Sequence, residues 1–352
     1  MFSLAITLSR VEGCLKLINM AEGRFDNPVI ASLTGLYNRF RKQELKPRFL
    51  ETDRFEGKTV LITGANSGLG FALATQSAQR GAKVIMACRS QIPEAGEKVK
   101  KLSISANVEM RHLDLSKIDS IHRFADKLAE DKITLDVIFL NAASAASRSR
   151  PTDSGQDELF MVNYFSNFIL SNLLLCKGII KPNAETQPRL IFISSDSHRG
   201  ASAIDYNEFG KYFEYGVSKA ISNYSYFKLV LNTFATELSR RINKEKTLVQ
   251  VNCICPGPVN TNIIREVPFP IRIILRGIFS VIFRSPVKAA PPAIYLATSD
   301  DFIGKTNQYL HMFIPKRMDE KVYDEMEGKK LWEESAKLWK QLDENAESMT
   351  GL

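Results

Sequence analysis

The chain has 352 residues, 44% of them hydrophobic, and 47 Lys+Arg against 39 Asp+Glu give a formal net charge of +8 and a pI near 9.1. A basic balance suits nucleic acid, an anionic membrane surface or a basic soluble protein, but there is no dense cationic patch interleaved with aromatics and no nucleic-acid motif, which argues against nucleic acid. The five cysteines form no Cys-x-x-Cys pair and read as reduced, and His112, His122, His198 and His311 lack ligand-like spacing, so no metal is expected.

The leader Met1 to Thr52 has apolar residues at helical spacing, first Leu4, Leu8, Val11, Leu15 and Ile18, then Val29, Leu33, Leu36, Tyr37 and Phe40 after Asn27-Pro28. Two short amphipathic helices follow from this, packed on the protein's own surface or lying on a membrane. Arg10 follows the apolar start instead of preceding it, which is not the order of a secretory signal.

Thr59-Val-Leu-Ile-Thr63 is a short β-branched run that reads as a buried parallel strand. A glycine turn and then a helix starting near Ser67 follow, with Leu69, Leu73 and Ala74 inward. The helix's free amides and positive dipole end would face a pyrophosphate, and Gly64, Gly68 and Gly70 would let the backbone approach it. Their spacing is Gly-x-x-x-Gly-x-Gly, unlike the commonest dinucleotide fingerprint. A second strand, Lys83 to Ala87, ends at Cys88-Arg89-Ser90, where a carboxylate would normally hold the ribose hydroxyls of NAD. A guanidinium suits a 2'-phosphate instead, so NADP(H) is expected over NAD(H).

Farther on comes Tyr215-Gly-Val-Ser-Lys219. On a shared helix four residues are about one turn, so both side chains reach one small volume. An ammonium beside a phenol favours the phenolate, and a tuned phenol can exchange the proton that accompanies a hydride transfer.

In this order the motifs resemble the short-chain dehydrogenase/reductase family, and the resemblance runs from about Gly57 to Phe313. It implies a Rossmann-type α/β fold, one doubly wound parallel sheet with helices on both faces, plus helical extensions at each end. It implies catalytic roles for Ser195, Tyr215, Lys219 and Asn163, with Ser195, the second serine after strand five, on the substrate oxygen and Asn163 holding a water that links the lysine to solvent. Toward the cofactor it implies Gly64, Asn66, Ser67, Gly68, Leu69, Gly70, Arg89, Asp114, Leu115, Asn141, Tyr215, Lys219, Pro256, Gly257, Val259 and Thr261, with Asp114 against the adenine and Val259 and Thr261 at the carboxamide. Leu140-Asn-Ala-Ala143 departs from the family's Asn-Asn-Ala-Gly, placing a methyl at Ala143 near the cofactor. The stretch between Ser195 and Tyr215 exceeds the family's commonest spacing by about seven residues, as in the retinol-dehydrogenase-like branch.

The segment Val267 to Arg284 mixes large apolar residues with Arg272, Arg276 and Arg284, so it should not span a bilayer; it reads as a substrate lid or an interfacial helix. The tail from Lys316 is charged and helical in pattern, with Leu331, Trp332, Ala336, Leu338 and Trp339 as its apolar stripe. The organisation expected is an N-terminal extension over 1–54, an NADP-binding catalytic unit over 55–315 with the lid at about 259–286, and a C-terminal extension over 316–352. The function implied is NADPH-dependent reduction of a lipophilic aldehyde or ketone, such as a retinoid, steroid or fatty carbonyl. The alternatives are an NAD-linked alcohol dehydrogenase and a nucleotide-binding scaffold with little turnover. An intracellular setting is expected, cytoplasmic or peripheral on a cytoplasm-facing membrane. A homodimer and a membrane-associated monomer are equally compatible with the pattern.

Overall fold

A computed structural model describes residues 54–144, 149–259 and 284–346. The two leader helices, most of the lid segment and Thr261 lie outside the described residues. Within them, short apolar runs alternate with helices, and the chain folds as that alternation dictates. The strands are β1 (Thr59–Thr63), β2 (Lys83–Cys88), β3 (Val108–His112), β4 (Val137–Leu140), β5 (Arg189–Ile193), β6 (Gln250–Cys255), β7 (Tyr309–His311) and β8 (Ile314–Pro315). They form one sheet in the order β3-β2-β1-β4-β5-β6-β7-β8, parallel except for the antiparallel β7–β8 pair. The order reverses direction between β1 and β4. In open α/β sheets, ligands bind beyond the strand carboxyl ends at such a switch point.

The helices are α1 (Gly68–Gln79), α2 (Glu94–Ser103), α3 (Ile118–Glu130), α4 (Glu158–Cys176), α5 (Val217–Ile242), α6 (Pro286–Ala289), α7 (Pro291–Thr298) and α8 (Glu325–Leu342). One face of the sheet packs on α1, α2 and α7 through Leu73, Val99 and Ile294; the other packs on α3, α4 and α5 through Ile121, Phe168 and Phe234, and α8 lies against α5 with Trp339 in the same core. Buried on both faces, the central strands are near-continuous apolar runs, as parallel strands must be.

Helix α4 has an 18-residue window of mean hydropathy 1.5, apolar enough to cross a membrane, yet 89% of that window is buried in the fold. Helices α3 and α5 pack against it, and α8, the expected tail stripe, covers the rest: Leu331, Trp332 and Trp339 are buried, and Phe168 meets the Trp332 and Trp339 rings at 5.2 and 6.1 Å. Each such large side chain fully buried contributes roughly 1.5–3 kcal/mol. The start of α4 is capped by Asp157, whose Oδ1 accepts from the Leu159 and Phe160 amides at 2.9 and 3.2 Å.

Candidate active site

The strand ends deliver the expected cofactor residues to one edge. Gly64 and Gly68 have φ of +65° and +56°, the left-handed region that glycine enters without penalty. A Cβ on Gly64 would also lie 3.0 Å from Ala142 Cα, and one on Gly70 would press on the Gly64 carbonyl and lie 2.5 Å from Asn141 Nδ2. The glycines therefore let the β1–α1 turn close against the end of β4. Asn141 completes the join, with Nδ2 donating to Thr63 O at 2.9 Å, while Thr63 Oγ1 accepts from the Asn141 and Ala142 amides at 3.0 Å each.

Helix α1 begins at Gly68 with Ser67 as its N-cap, makes no side-chain cap bond and has no acidic residue in its first turn. Its amides and positive dipole end remain available to an anion, a fit for a dinucleotide pyrophosphate. Leu69 is buried beneath the turn. Beside it, burial pushes the Cys88 thiol up to about 11 despite bonds from the Ala65 and Asn66 backbone. Arg89 follows with its side chain exposed, and Asn66 Nδ2 donates to Ser90 O at 3.3 Å, joining the glycine turn to the segment after β2.

After β3, Asp114 Oδ1 accepts from the Ser116 amide at 3.0 Å and its hydroxyl at 2.7 Å, closing a local turn ahead of α3, with Leu115 buried alongside. The residue capping α3 is Lys117. Ala143 is exposed and is not among the residues of positive φ, so its methyl brings no backbone strain and no crowding by the described residues. After β6, Pro256 and Gly257 form the anticipated turn, Gly257 at φ +78°, and Val259 bridges to Arg284.

Asn163 lies in a π-helical turn, Met161–Phe165, within α4, a distortion frequent at functional sites. Its Oδ1 accepts from the Ser144 amide at 2.8 Å and its Nδ2 donates to Ser144 O at 2.9 Å. The carboxamide thus ties α4 to the chain after β4.

Tyr215 and Lys219 do not share a helix as expected. Helix α5 begins at Val217, so Tyr215 precedes it, and Lys219 is exposed in its first turn. Tyr215 instead fastens a loop, its amide donating to Ser149 Oγ at 3.1 Å and its carbonyl accepting from the Ser149 amide at 3.3 Å. Its phenol is pushed up by burial and by the buried Asp157 carboxylate.

One register later the same pattern recurs as Tyr224-Ser-Tyr-Phe-Lys228, and here both residues lie well inside α5. Lys228 is buried, its Nζ donates to Ile193 O at 2.7 Å, and that ammonium stands 5.5 Å from the Tyr224 ring centroid. Ile193 ends β5 two residues before Ser195, so α5 presents the pair at the strand end from which that serine emerges. Burial lowers Lys228 to about 8, with Cys253 and Cys255 opposing. Burial raises the Tyr224 phenol, as does Cys255, so a lowered phenol is present at neither tyrosine. Desolvation of the phenolate outweighs the nearby cation in this arrangement. The signal that separates the two pairs is helix phase: Phe227, Leu231, Phe234 and Leu238 carry an apolar stripe past Lys228, whereas Lys219 is flanked by Gly216, Ser218 and Ser222.

The short chain dehydrogenase family profile matches residues 58–212. Human retinol dehydrogenase 14 is 33% identical over 301 residues, covering 79% of this chain and 84% of that protein. The chain belongs to the short-chain dehydrogenase/reductase family. It falls in the retinol-dehydrogenase-like branch and is an oxidoreductase of that family. Among solved structures, an uncharacterised protein of Mycobacterium paratuberculosis superposes with a TM-score of 0.63 at 26% identity, covering 83% of this chain and 97% of the other. A short chain dehydrogenase of Escherichia coli, crystallised with NADPH, gives 0.54 at 20% identity, over 74% and 98%.

Proposed function

We propose that the protein is an NADP(H)-dependent oxidoreductase that reduces a lipophilic aldehyde or ketone of the retinoid, steroid or fatty type to the alcohol. The observation that carries this reading is the Tyr224–Lys228 pair, one helical turn apart, with Lys228 buried and anchored to the end of β5 two residues before Ser195. Ser195 Oγ accepts from the Ser197 amide at 3.2 Å, which leaves its own proton free to donate to a carbonyl oxygen. Tyr224 delivers the proton that this oxygen takes up. Lys228 stabilises the phenolate left behind, and Asn163 holds the chain after β4 in place. A nicotinamide dinucleotide, held by the glycine turn, the α1 amides, Asp114 and the Pro256-Gly257 turn, supplies the hydride when bound.

Arg89, exposed beside the glycine turn, supports the choice of NADP(H), and the NADPH in the Escherichia coli relative agrees with it. The name of the human relative supports a retinoid-like substrate. A substrate that partitions into lipid fits an intracellular protein peripheral to a membrane, with the basic apolar segment at 267–284 meeting lipid or covering the substrate.

The test is NADPH oxidation by the purified protein against retinal, steroid ketones and medium-chain aldehydes, with Tyr224→Phe and Tyr215→Phe alongside. Turnover abolished in Tyr224→Phe and kept in Tyr215→Phe supports the reading; the opposite pattern restores the first pair, and no turnover on any carbonyl removes the reductase.

A further inference from the structure

The chain leaving β5 is gripped by the segment that follows β8, more than a hundred residues away in sequence. His198 is fully buried, its Nε2 is 3.1 Å from the Asp319 amide nitrogen, and its Nδ1 is 2.7 Å from the carbonyl oxygen of Ser195. A backbone N–H only donates, so Nε2 is the acceptor, Nδ1 carries the proton, and a neutral imidazole donates to Ser195. The ring stands edge-on to Tyr309 at 5.6 Å.

Asp196, the next residue after Ser195, is held from the same side. Its Oδ1 accepts from Tyr309 Oη and its Oδ2 from Lys316 Nζ, both at 2.7 Å, with His311 Nδ1 at 3.2 Å and Arg199 Nε at 3.6 Å. Arg199 Nη2 also donates to the Arg317 carbonyl, and Lys321 Nζ to Ala201 O at 2.5 Å. Every residue from Asp196 to Ala201 that bonds outward in this way is thereby fixed from Tyr309 to Lys321, and the turn so fixed is the one whose Ser197 amide orients Ser195 Oγ.

We infer that His198 and Asp196 are positioning residues for Ser195, and that the segment Lys316 to Lys321 belongs through them to the active-site framework. This rests on the reductase reading, in which Ser195 holds the substrate oxygen. Loss of the His198 bond frees the Ser195 carbonyl, and displacement of a donor by about 1 Å costs on the order of 10- to 100-fold in rate.

The experiment is a double-mutant cycle in the full chain with NADPH and the best carbonyl substrate of the panel, using His198→Phe, Ser195→Ala and the two combined. His198→Phe keeps a ring against Tyr309 and removes the donor. The expected result is a kcat lowered about 10-fold or more, NADPH affinity by fluorescence within about twofold, and no further loss when His198→Phe is added to Ser195→Ala. Additive losses, or an unchanged kcat in His198→Phe, overturn the inference while leaving the reductase intact. If the Phe variant fails to fold, His198→Asn and His198→Gln decide. The Asn amide occupies the place of Nδ1 and retains most of the rate, the Gln amide occupies that of Nε2 and does not, and the reverse order overturns the inference. A wild-type protein without turnover removes the reductase reading and this inference with it.

Discussion

Lys228 lies one turn beyond Tyr224 on α5, its Nζ 5.5 Å from the tyrosine ring centroid and bonded to the Ile193 carbonyl at 2.7 Å. A buried ammonium with one backbone acceptor is poorly solvated, and burial brings its pKa to about 8.

The rate of carbonyl reduction should therefore fall above about pH 8, as Lys228 loses the charge that stabilises the departing phenolate. Alkaline unfolding is not the cause as far as this group is concerned. Its folded pKa lies below the unfolded value of about 10.4, so its charged form costs stability below pH 8 and that cost is relieved as pH rises. Measuring kcat from pH 6 to 10 together with thermal stability separates the two effects. Lys228→Arg, charged throughout, should lower the rate and remove the alkaline limb; a limb that persists in the variant assigns it to another group.

Gly70→Ala should disable the nucleotide site. Its new methyl would meet Asn141 Nδ2 at 2.5 Å and the Gly64 carbonyl, and both are pinned, so neither can give way. Overpacking of this kind costs about 1–3 kcal/mol. The expected outcome is a lower melting temperature and NADPH binding weakened about 10-fold or more, since the β1–α1 turn must open. A variant with native stability and affinity would show that the turn adapts.

The sheet and the glycine turn were legible because their signals are local: β-branched runs ending in glycine, and a helix opening without acidic residues. The tyrosine–lysine pair was legible as a pattern but not as a position. Two copies stand nine residues apart, at Tyr215 and Tyr224, and only the start of α5 at Val217 excludes the first. His198 reads in sequence as a solvated loop histidine, and what buries it is Tyr309 and Asp319, contacts across more than a hundred residues that no local pattern encodes. Ala143 shows the converse: the departure from the family motif is plain in the sequence, while the absence of backbone strain there is a property only the fold reveals.

Arg89→Asp should shift the cofactor preference from NADPH toward NADH. Arg89 is exposed after β2, where Asn66 ties the glycine turn to Ser90, so its guanidinium is free to meet a 2'-phosphate. Because solvent screens an exposed charge, the effect should be modest, about 10-fold in kcat/KM for NADPH, with NADH use unchanged or improved as a carboxylate accepts from the ribose hydroxyls. Steady-state rates with both cofactors check it, and an unchanged ratio would move the phosphate contact away from Arg89.

Trp339→Ala should be the most destabilising of these substitutions. The indole is 1% exposed, faces Phe168 at 6.1 Å and donates from Nε1 to Asp343 Oδ2 at 2.8 Å, and Asp343 Oδ2 also meets His122 Nε2 at 2.5 Å. Removing it leaves a cavity over α4 and releases the link from α8 to α3, at about 3–5 kcal/mol, a large share of the stability of a domain. Because α4 is apolar enough to enter a bilayer, loosening α8 exposes a surface that water does not tolerate, so the variant should aggregate or partition into detergent as well as melt earlier. Trp339→Phe fills most of the cavity and loses only the indole donor, so it should recover more than half of the loss. Thermal melts of the two variants, with light scattering recorded alongside, test the assignment: equal losses would place the stabilisation in the Asp343 bond, and a small loss in both would mean that α8 contributes little to covering α4.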